Sequence, residues 1–122
     1  MANTPTIQAL LEEWIAAFNS HDLDRHMALY TEDATLFGSV DELQIGRNAI
    51  RDYFGGRPPS MRVQTYPMPH TREISRDIAV TAGHVVFADG DNPSPYRMTW
   101  VLARQEGNWK ITQHHGSPQF GF

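Results

Sequence analysis

The stretch that decides the fold is Tyr96–Ser117, which reads YRMTWVLARQEGNWKITQHHGS. Its two apolar-rich segments, 96–104 and 109–117, predict two β-strands joined by a short turn. A two-residue hairpin turn favours Asn-Gly or Asp-Gly, whereas this turn contains Glu106-Gly107. We therefore predict a three-residue loop in which Gly107 is the left-handed residue beside a bulge.

The loop length matters because a shift of one residue changes every cross-strand partner. The predicted loop sets four pairs on one face of the hairpin: Arg97–His115, Thr99–Gln113, Val101–Ile111 and Ala103–Trp109. This face is apolar near the turn and polar and cationic at its other end. Such a gradient is typical of a ligand cavity with a few polar groups at its base.

Length and composition limit the classes of protein that the chain can represent. Its 122 residues predict one domain, 1–122, and a net charge of −4 makes nucleic acid and anionic membranes poor partners. The absence of cysteine excludes disulfides, thiolate metal sites and a cysteine nucleophile. Without a signal-peptide pattern or a long apolar run, we expect a cytoplasmic protein.

The order of the predicted elements indicates an α+β fold. Apolar residues recur with helical spacing over residues 5–19, where Thr4 is the expected cap and Pro5 the first helical residue. Asp22 opens a second helix, and Gly46 begins a third that ends at Gly55-Gly56. The pattern then changes to period two, which predicts strands at 61–66, 71–75 and 78–88 besides the short strand 34–37 and the hairpin. Three helices followed by an antiparallel (mixed) sheet predict one strongly curved sheet around the helices.

Three segments carry a resemblance to a known family: WIAAFNSHDLDRHMALYTEDATLFG, IGRNAIRDYF and RMTWVLARQEGNWKITQHHGS. Together they resemble the nuclear transport factor 2-like superfamily over almost the whole chain. The ending with Trp109, Ile111, His115 and Ser117 is closest to bacterial SnoaL-like proteins and is also similar to the association domain of calcium/calmodulin-dependent protein kinase II. The resemblance implies a cystatin-like cone with an internal pocket and a homodimer that forms through the sheet.

Functional residues of two relatives of this fold are replaced here. Ketosteroid isomerase uses a tyrosine and two aspartates, and the matching positions are Trp14, Gly38 and Val101, none of which can supply that chemistry. The resemblance implies that Val101, and with it Arg97 and Thr99, faces the pocket. Three pocket arginines of the kinase association domain match His84, Trp100 and Gly116, so that anion site is not preserved.

Arg97 and His115 are the strongest candidates for function. A guanidinium among apolar neighbours needs an ion-pair partner, water or a bound anion, and its charge would keep His115 neutral and able to act as a base. The alternative is structural: Arg97 pairs with an acid such as Asp33, and His115 bonds the backbone. His84 is a third pocket candidate, with a buried structural histidine as its alternative.

The remaining candidates are an acid, two polar neighbours and several aromatic residues. Asp33 at the end of the second helix is a candidate proton-transfer group or else a surface acid. Thr99 and Gln113 accompany Arg97 on the predicted pocket face. Part of the aromatic core is expected to touch a ligand, with these candidates: Trp14, Tyr30 and Phe54.

No cofactor and no metal is expected. Neighbouring residues on a strand point to opposite faces, so His114 and His115 cannot chelate one ion, and His114 is predicted on an outer, dimer-forming surface with Met98 and Trp100. The segment beginning Asp89-Gly90-Asp91 lacks the glycine and glutamate of a calcium loop. No nucleotide-binding glycine motif is present.

Two functions from different classes remain open after these exclusions. The first is a non-catalytic dimeric module that binds a small hydrophobic or anionic molecule in a pocket with Arg97 and His115 at its base. The second is a cofactor-independent cyclase, isomerase, dehydratase or hydrolase acting on a polyketide-like or carbonyl substrate. In that enzyme His115 or Asp33 would transfer a proton, and Arg97 would hold an oxygen atom of the substrate.

Overall fold

Three helices occupy one side of a curved sheet in the computed structural model, which describes residues 6–119. The helices are α1 (Ile7–Asn19), α2 (Leu23–Met27) and α3 (Arg47–Gly55). The side chains of Thr6 and Asp22 cap α1 and α2 by accepting hydrogen bonds from backbone N–H groups. The predicted cap Thr4 and the predicted first residue Pro5 lie outside the described residues.

The strands of the described chain form one mixed sheet. They are β1 (Tyr30–Phe37), β2 (Gln44–Ile45), β3 (Met61–Thr65), β4 (His70–Glu73), β5 (Ile78–Asp89), β6 (Asn92–Gln105) and β7 (Asn108–Pro118). The strand order is β2-β1-β7-β6-β5-β3, with β4 also on β5, and only the β1–β7 pairing is parallel. The α+β prediction is confirmed for an unclosed, curved sheet. Within residues 6–119, every helix falls short of the length and apolar character needed to cross a bilayer.

The predicted three-residue loop is wrong, because β6 and β7 are joined by a two-residue turn. Gln105 pairs with Asn108, and Glu106 and Gly107 both have positive φ, at 52° and 82°. Positive φ at both central residues is the signature of a type I′ turn, whose twist matches that of the strands. A bulge does occur, but it lies farther along, where the register shifts between Val101–Gln113 and Leu102–Ile111.

The two-residue turn exchanges the faces of β6, and the bulge exchanges those of β7 beyond Ile111, whereas Trp109 and Ile111 remain buried. Met98, Trp100 and His114 face the helices and are buried, and Trp14 of α1 packs against both Trp100 and His114. The opposite surface of the sheet, hereafter the outer face, carries Arg97 opposite Ser117 and Thr99 opposite His115. The predicted position of His114, Met98 and Trp100 on an outer surface is therefore wrong, and so is the predicted pocket position of Val101, which lies on the outer face.

Candidate functional site

A cavity of about 450 Å³ opens between α1, α3 and the inner face of the sheet. Its walls are mainly apolar, with these residues: Phe18, Leu36, Phe54, Met61, Phe87 and Met98. The polar side chains in its lining are those of Ser39, Tyr53, Arg57, Ser94, Tyr96 and His114. No aspartate or glutamate belongs to this lining among residues 6–119. Apolar walls with a few convergent polar groups are the usual composition of a small-molecule site.

Three hydrogen-bonded side chains lead from the core to the floor of this cavity. The indole N–H of Trp14 donates to the Tyr30 hydroxyl over 2.9 Å, and that oxygen lies 3.0 Å from Nδ1 of His114. All three side chains are 0–1% exposed. The secondary-structure elements bring these three side chains together. Trp14 lies on the buried side of α1, and Tyr30 and His114 belong to the paired strands β1 and β7.

These hydrogen bonds indicate which ring nitrogen of His114 carries the hydrogen. Burial raises the pKa of the Tyr30 hydroxyl far above its ordinary value, so this group keeps its proton. Its oxygen accepts from Trp14, and its own buried hydrogen finds an acceptor in Nδ1 of His114 when that nitrogen carries no hydrogen, which favours this arrangement. A neutral imidazole that accepts at Nδ1 carries its hydrogen on Nε2.

Nε2 of His114 is buried and has no hydrogen-bond partner among the described residues, and His114 belongs to the cavity lining. With its hydrogen on Nε2, this nitrogen is a donor that lacks an acceptor. Burial, followed by the neighbouring imidazoles of His26 and His115, holds the pKa of His114 well below its usual range. The uncharged imidazole of His114 is therefore a hydrogen-bond donor at the floor of the cavity.

His26 is a second buried imidazole close to this site. It is 0% exposed, packs 4.5 Å from the Phe54 ring between centroids, and neither of its nitrogens has a partner within residues 6–119. Burial and, secondarily, the charge of Arg57 lower the pKa of His26 to about 3. His26 does not line the cavity, so it acts on the site only through its neighbours.

The structure separates the predicted site residues into three groups. Phe54 lines the cavity, and Trp14 and Tyr30 lie beneath its floor. The predicted inward orientation is wrong for the residues that lie on the outer face, namely His84, Arg97, Thr99, Gln113 and His115. Asp33 is exposed on β1, and no ion pair joins it to Arg97 in the described chain.

The error has two causes. The two-residue turn puts Arg97 and Thr99 on the face opposite to the buried Trp109 and Ile111, and the bulge after Ile111 then puts Gln113 and His115 on the outer face as well. His115 packs beside Phe37, with 5.8 Å between the ring centroids, and does not face a cavity. Arg97 lies opposite His84 on the neighbouring strand β5. The missed residues are His114 and Arg57. Alternation along β6 could have revealed His114, since Met98, Trp100 and Leu102 are bulkier and more apolar than Arg97, Thr99 and Val101.

A second hollow, of about 610 Å³, lies between the start of α1 and β4. Its polar side chains include Glu73 and Arg104, and Arg104 is already engaged with the Trp109 ring and the Arg76 carbonyl. None of the unpartnered buried polar atoms found in the described chain lines this hollow. We therefore regard the smaller cavity above His114 as the candidate site.

Comparison with known proteins agrees with this architecture. A family model described as a SnoaL-like domain matches residues 7–121. A protein from Xanthomonas campestris described as a calcium/calmodulin-dependent protein kinase II association domain is 25% identical, with a TM-score of 0.84 over 99% of this chain and 95% of its own.

Two further solved structures share the fold. A ketosteroid isomerase-like protein from Erwinia carotovora has a TM-score of 0.81 at 19% identity, covering 94% of this chain and 95% of its own. A nuclear transport factor 2-like protein of unknown function from Pseudomonas putida has a TM-score of 0.82 at 22% identity, covering 95% and 86%.

Proposed function

The chain belongs to the SnoaL-like domain family, and from this premise we propose that it binds a small, mainly apolar molecule through an oxygen atom held by His114. The fold family includes both ligand-binding and enzymatic members, so membership alone does not decide the function. The choice depends on the chemistry of the cavity.

The observation that carries the proposal is the unpartnered Nε2–H of His114. A buried donor without a partner costs about 1–3 kcal/mol, and a ligand oxygen that accepts from it offsets that cost. A carbonyl or enolate oxygen fits this neutral donor. The thioether of Met98, which lines the same cavity, is a flexible neighbour that yields to an incoming ligand.

Calorimetric titration with 1-tetralone and tetralin tests this function, because the two compounds share an apolar skeleton and only the ketone has an acceptor. We expect the protein to bind 1-tetralone about tenfold or more tightly, as a newly satisfied buried donor predicts. His114→Phe should bind both compounds equally, whereas Tyr53→Phe, at another hydroxyl of the lining, should retain the preference. Equal affinities in the unmodified protein would refute the role of His114.

A cofactor-independent enzyme is the second candidate, and the chain Trp14–Tyr30–His114 is the observation that favours it. A preorganised donor at a carbonyl oxygen would stabilise the negative charge of an enolate. The described lining contains no carboxylate to act as a base, so binding without reaction remains the first choice. In deuterium oxide, faster exchange of the protons beside the 1-tetralone carbonyl with the protein than with His114→Phe would favour the enzyme.

We also propose that two copies associate through the outer face. Support comes from apolar side chains that this face exposes, with Phe37 and Ile78 each 38% and Ile45 70% exposed. Sedimentation should give about twice the 13.8 kDa mass of one chain. Val101→Glu, in the middle of the outer face, should shift the protein to monomer, whereas Glu12→Gln on α1 should not. An unmodified protein that sediments as a monomer would exclude this association.

A further inference from the structure

Arg57 extends from the end of α3 into the lining of the cavity above His114. Its guanidinium lies over the Phe18 ring at 3.9 Å from the centroid. One terminal nitrogen donates to the Phe54 carbonyl over 2.8 Å and the other to the Phe18 carbonyl over 2.7 Å. These contacts fix the guanidinium at the cavity wall, where each terminal nitrogen retains a further N–H.

The charge of Arg57 has no counter-ion in the described chain. No carboxylate of residues 6–119 lies within ion-pair distance of it, and the cavity lining within this range contains no acid. Its Nε–H is buried and unpartnered among the same residues. Burial accordingly lowers the pKa of Arg57. A partly desolvated cation next to an apolar space is a strong attractor for an anion.

We infer that Arg57 is an anion subsite of the cavity, and that the ligand is an apolar carboxylic acid in its ionised form. This inference rests on the proposed function and adds a substrate class to it. The carboxylate lies at Arg57, the apolar body packs against Phe18 and Phe54, and an oxygen elsewhere on the molecule accepts from His114. A cavity of about 450 Å³ accommodates a body of two fused rings.

A purely structural role for Arg57 would have a different basis. The Phe18 and Phe54 carbonyls belong to the last turns of α1 and α3, where a cation is stabilised by the partial negative charge of the helix end. In that case Arg57 would stabilise the domain and have no effect on which ligand binds. The two roles are separable because only the subsite distinguishes a carboxylate from a neutral analogue.

The test is calorimetric titration with 2-naphthoate and 2-naphthamide, which differ in charge and little in shape. The protein should bind 2-naphthoate about tenfold or more tightly than the amide, since hydrogen bonds to charged groups are the stronger ones. Arg57→Gln should abolish this preference and leave amide binding unchanged. The matched control is Arg47→Gln, because Arg47 also donates to a backbone carbonyl and has a buried, unpartnered Nε but does not line the cavity.

Each outcome decides between the two proposals. If 1-tetralone binds but 2-naphthoate and 2-naphthamide bind equally, the anion subsite is refuted and the proposed function stands. If none of the three binds, both are refuted. If Arg57→Gln lowers the melting temperature but keeps the preference for 2-naphthoate, Arg57 is structural.

A second measurement covers the case in which Arg57→Gln does not fold. Adding sodium chloride to the unmodified protein should weaken 2-naphthoate binding and leave 2-naphthamide binding unchanged, because only the charged ligand is screened. Equal salt dependence of the two ligands would refute the subsite.

Discussion

Lowering the pH from 7 to 5 is expected to reduce the free energy of unfolding by about 2 kcal/mol through the buried imidazole of His26, with a further loss in the same direction through His114. His26 and His114 are 0% and 1% exposed. Burial lowers the pKa of each, to about 3 for His26 and well below 6.5 for His114. His26 therefore stays neutral in the folded protein at pH 5, where the unfolded chain has already protonated it, and the lowered pKa of His114 acts in the same direction.

The sign of this effect follows from which state binds more protons. Between the unfolded pKa of 6.5 and the lower folded pKa, only the unfolded state is protonated, so stability falls as the pH falls. His26 contributes about 2 kcal/mol over this range. Arg57 disfavours protonation of His26, while His26 and His115 disfavour protonation of His114, which also contacts the neutral Tyr30.

Urea unfolding at a series of pH values measures this dependence. His26→Leu and His114→Phe should each reduce the slope between pH 7 and 5, although both variants have other effects on stability at pH 7. Glu13 is a less sensitive group in this window, since its bond with Arg25 lowers its pKa from 4.5. An unchanged slope in the double variant would show that the imidazoles are not the cause.

Replacing Tyr30 with phenylalanine is expected to destabilise the domain by about 2–4 kcal/mol, because one hydroxyl serves two buried partners. Without it the Trp14 indole N–H loses its acceptor and Nδ1 of His114 loses its donor. The change removes one oxygen atom and leaves the ring, so lost packing contributes little. Thermal and urea unfolding measure the loss.

Tyr53→Phe is the matched control for this substitution. The Tyr53 hydroxyl accepts from the backbone N–H of Ser39 over 2.8 Å and contacts its Oγ at 3.0 Å, but both bonds are close to solvent. Water replaces such partners, so we expect a loss of about 1 kcal/mol or less. Equal losses in the two variants would show that the Trp14–Tyr30–His114 chain has no special weight in stability.

The course of the chain was largely predictable from sequence. The apolar residues of α1 recur with helical spacing, and the change to period two after Pro59 coincides with the start of β3 and the strands that follow it. The short strand β2 and the parallel pairing of β1 with β7 were not predicted. Both depend on contacts between distant segments, which local patterns do not report.

The site was less predictable than the fold, for two physical reasons. The inward or outward direction of a strand residue depends on one residue of turn length, and Glu106 adopts a positive φ that its type rarely favours. Arg57 lies just after a helix, in a segment without periodicity, and only the packing of α1 beside α3 brings it to the cavity. The likeness to known relatives gave the architecture and misplaced Val101 for the same reason of register.

The protonation of His114 is the most direct test of the account. Long-range ¹⁵N–¹H correlation spectra of the ligand-free protein distinguish the two neutral forms of an imidazole from each other and from the charged form. We predict a neutral His114 with its hydrogen on Nε2 at pH 7, and loss of this single form in Tyr30→Phe. A hydrogen on Nδ1 of the neutral ring would contradict the donor on which the proposed binding site depends.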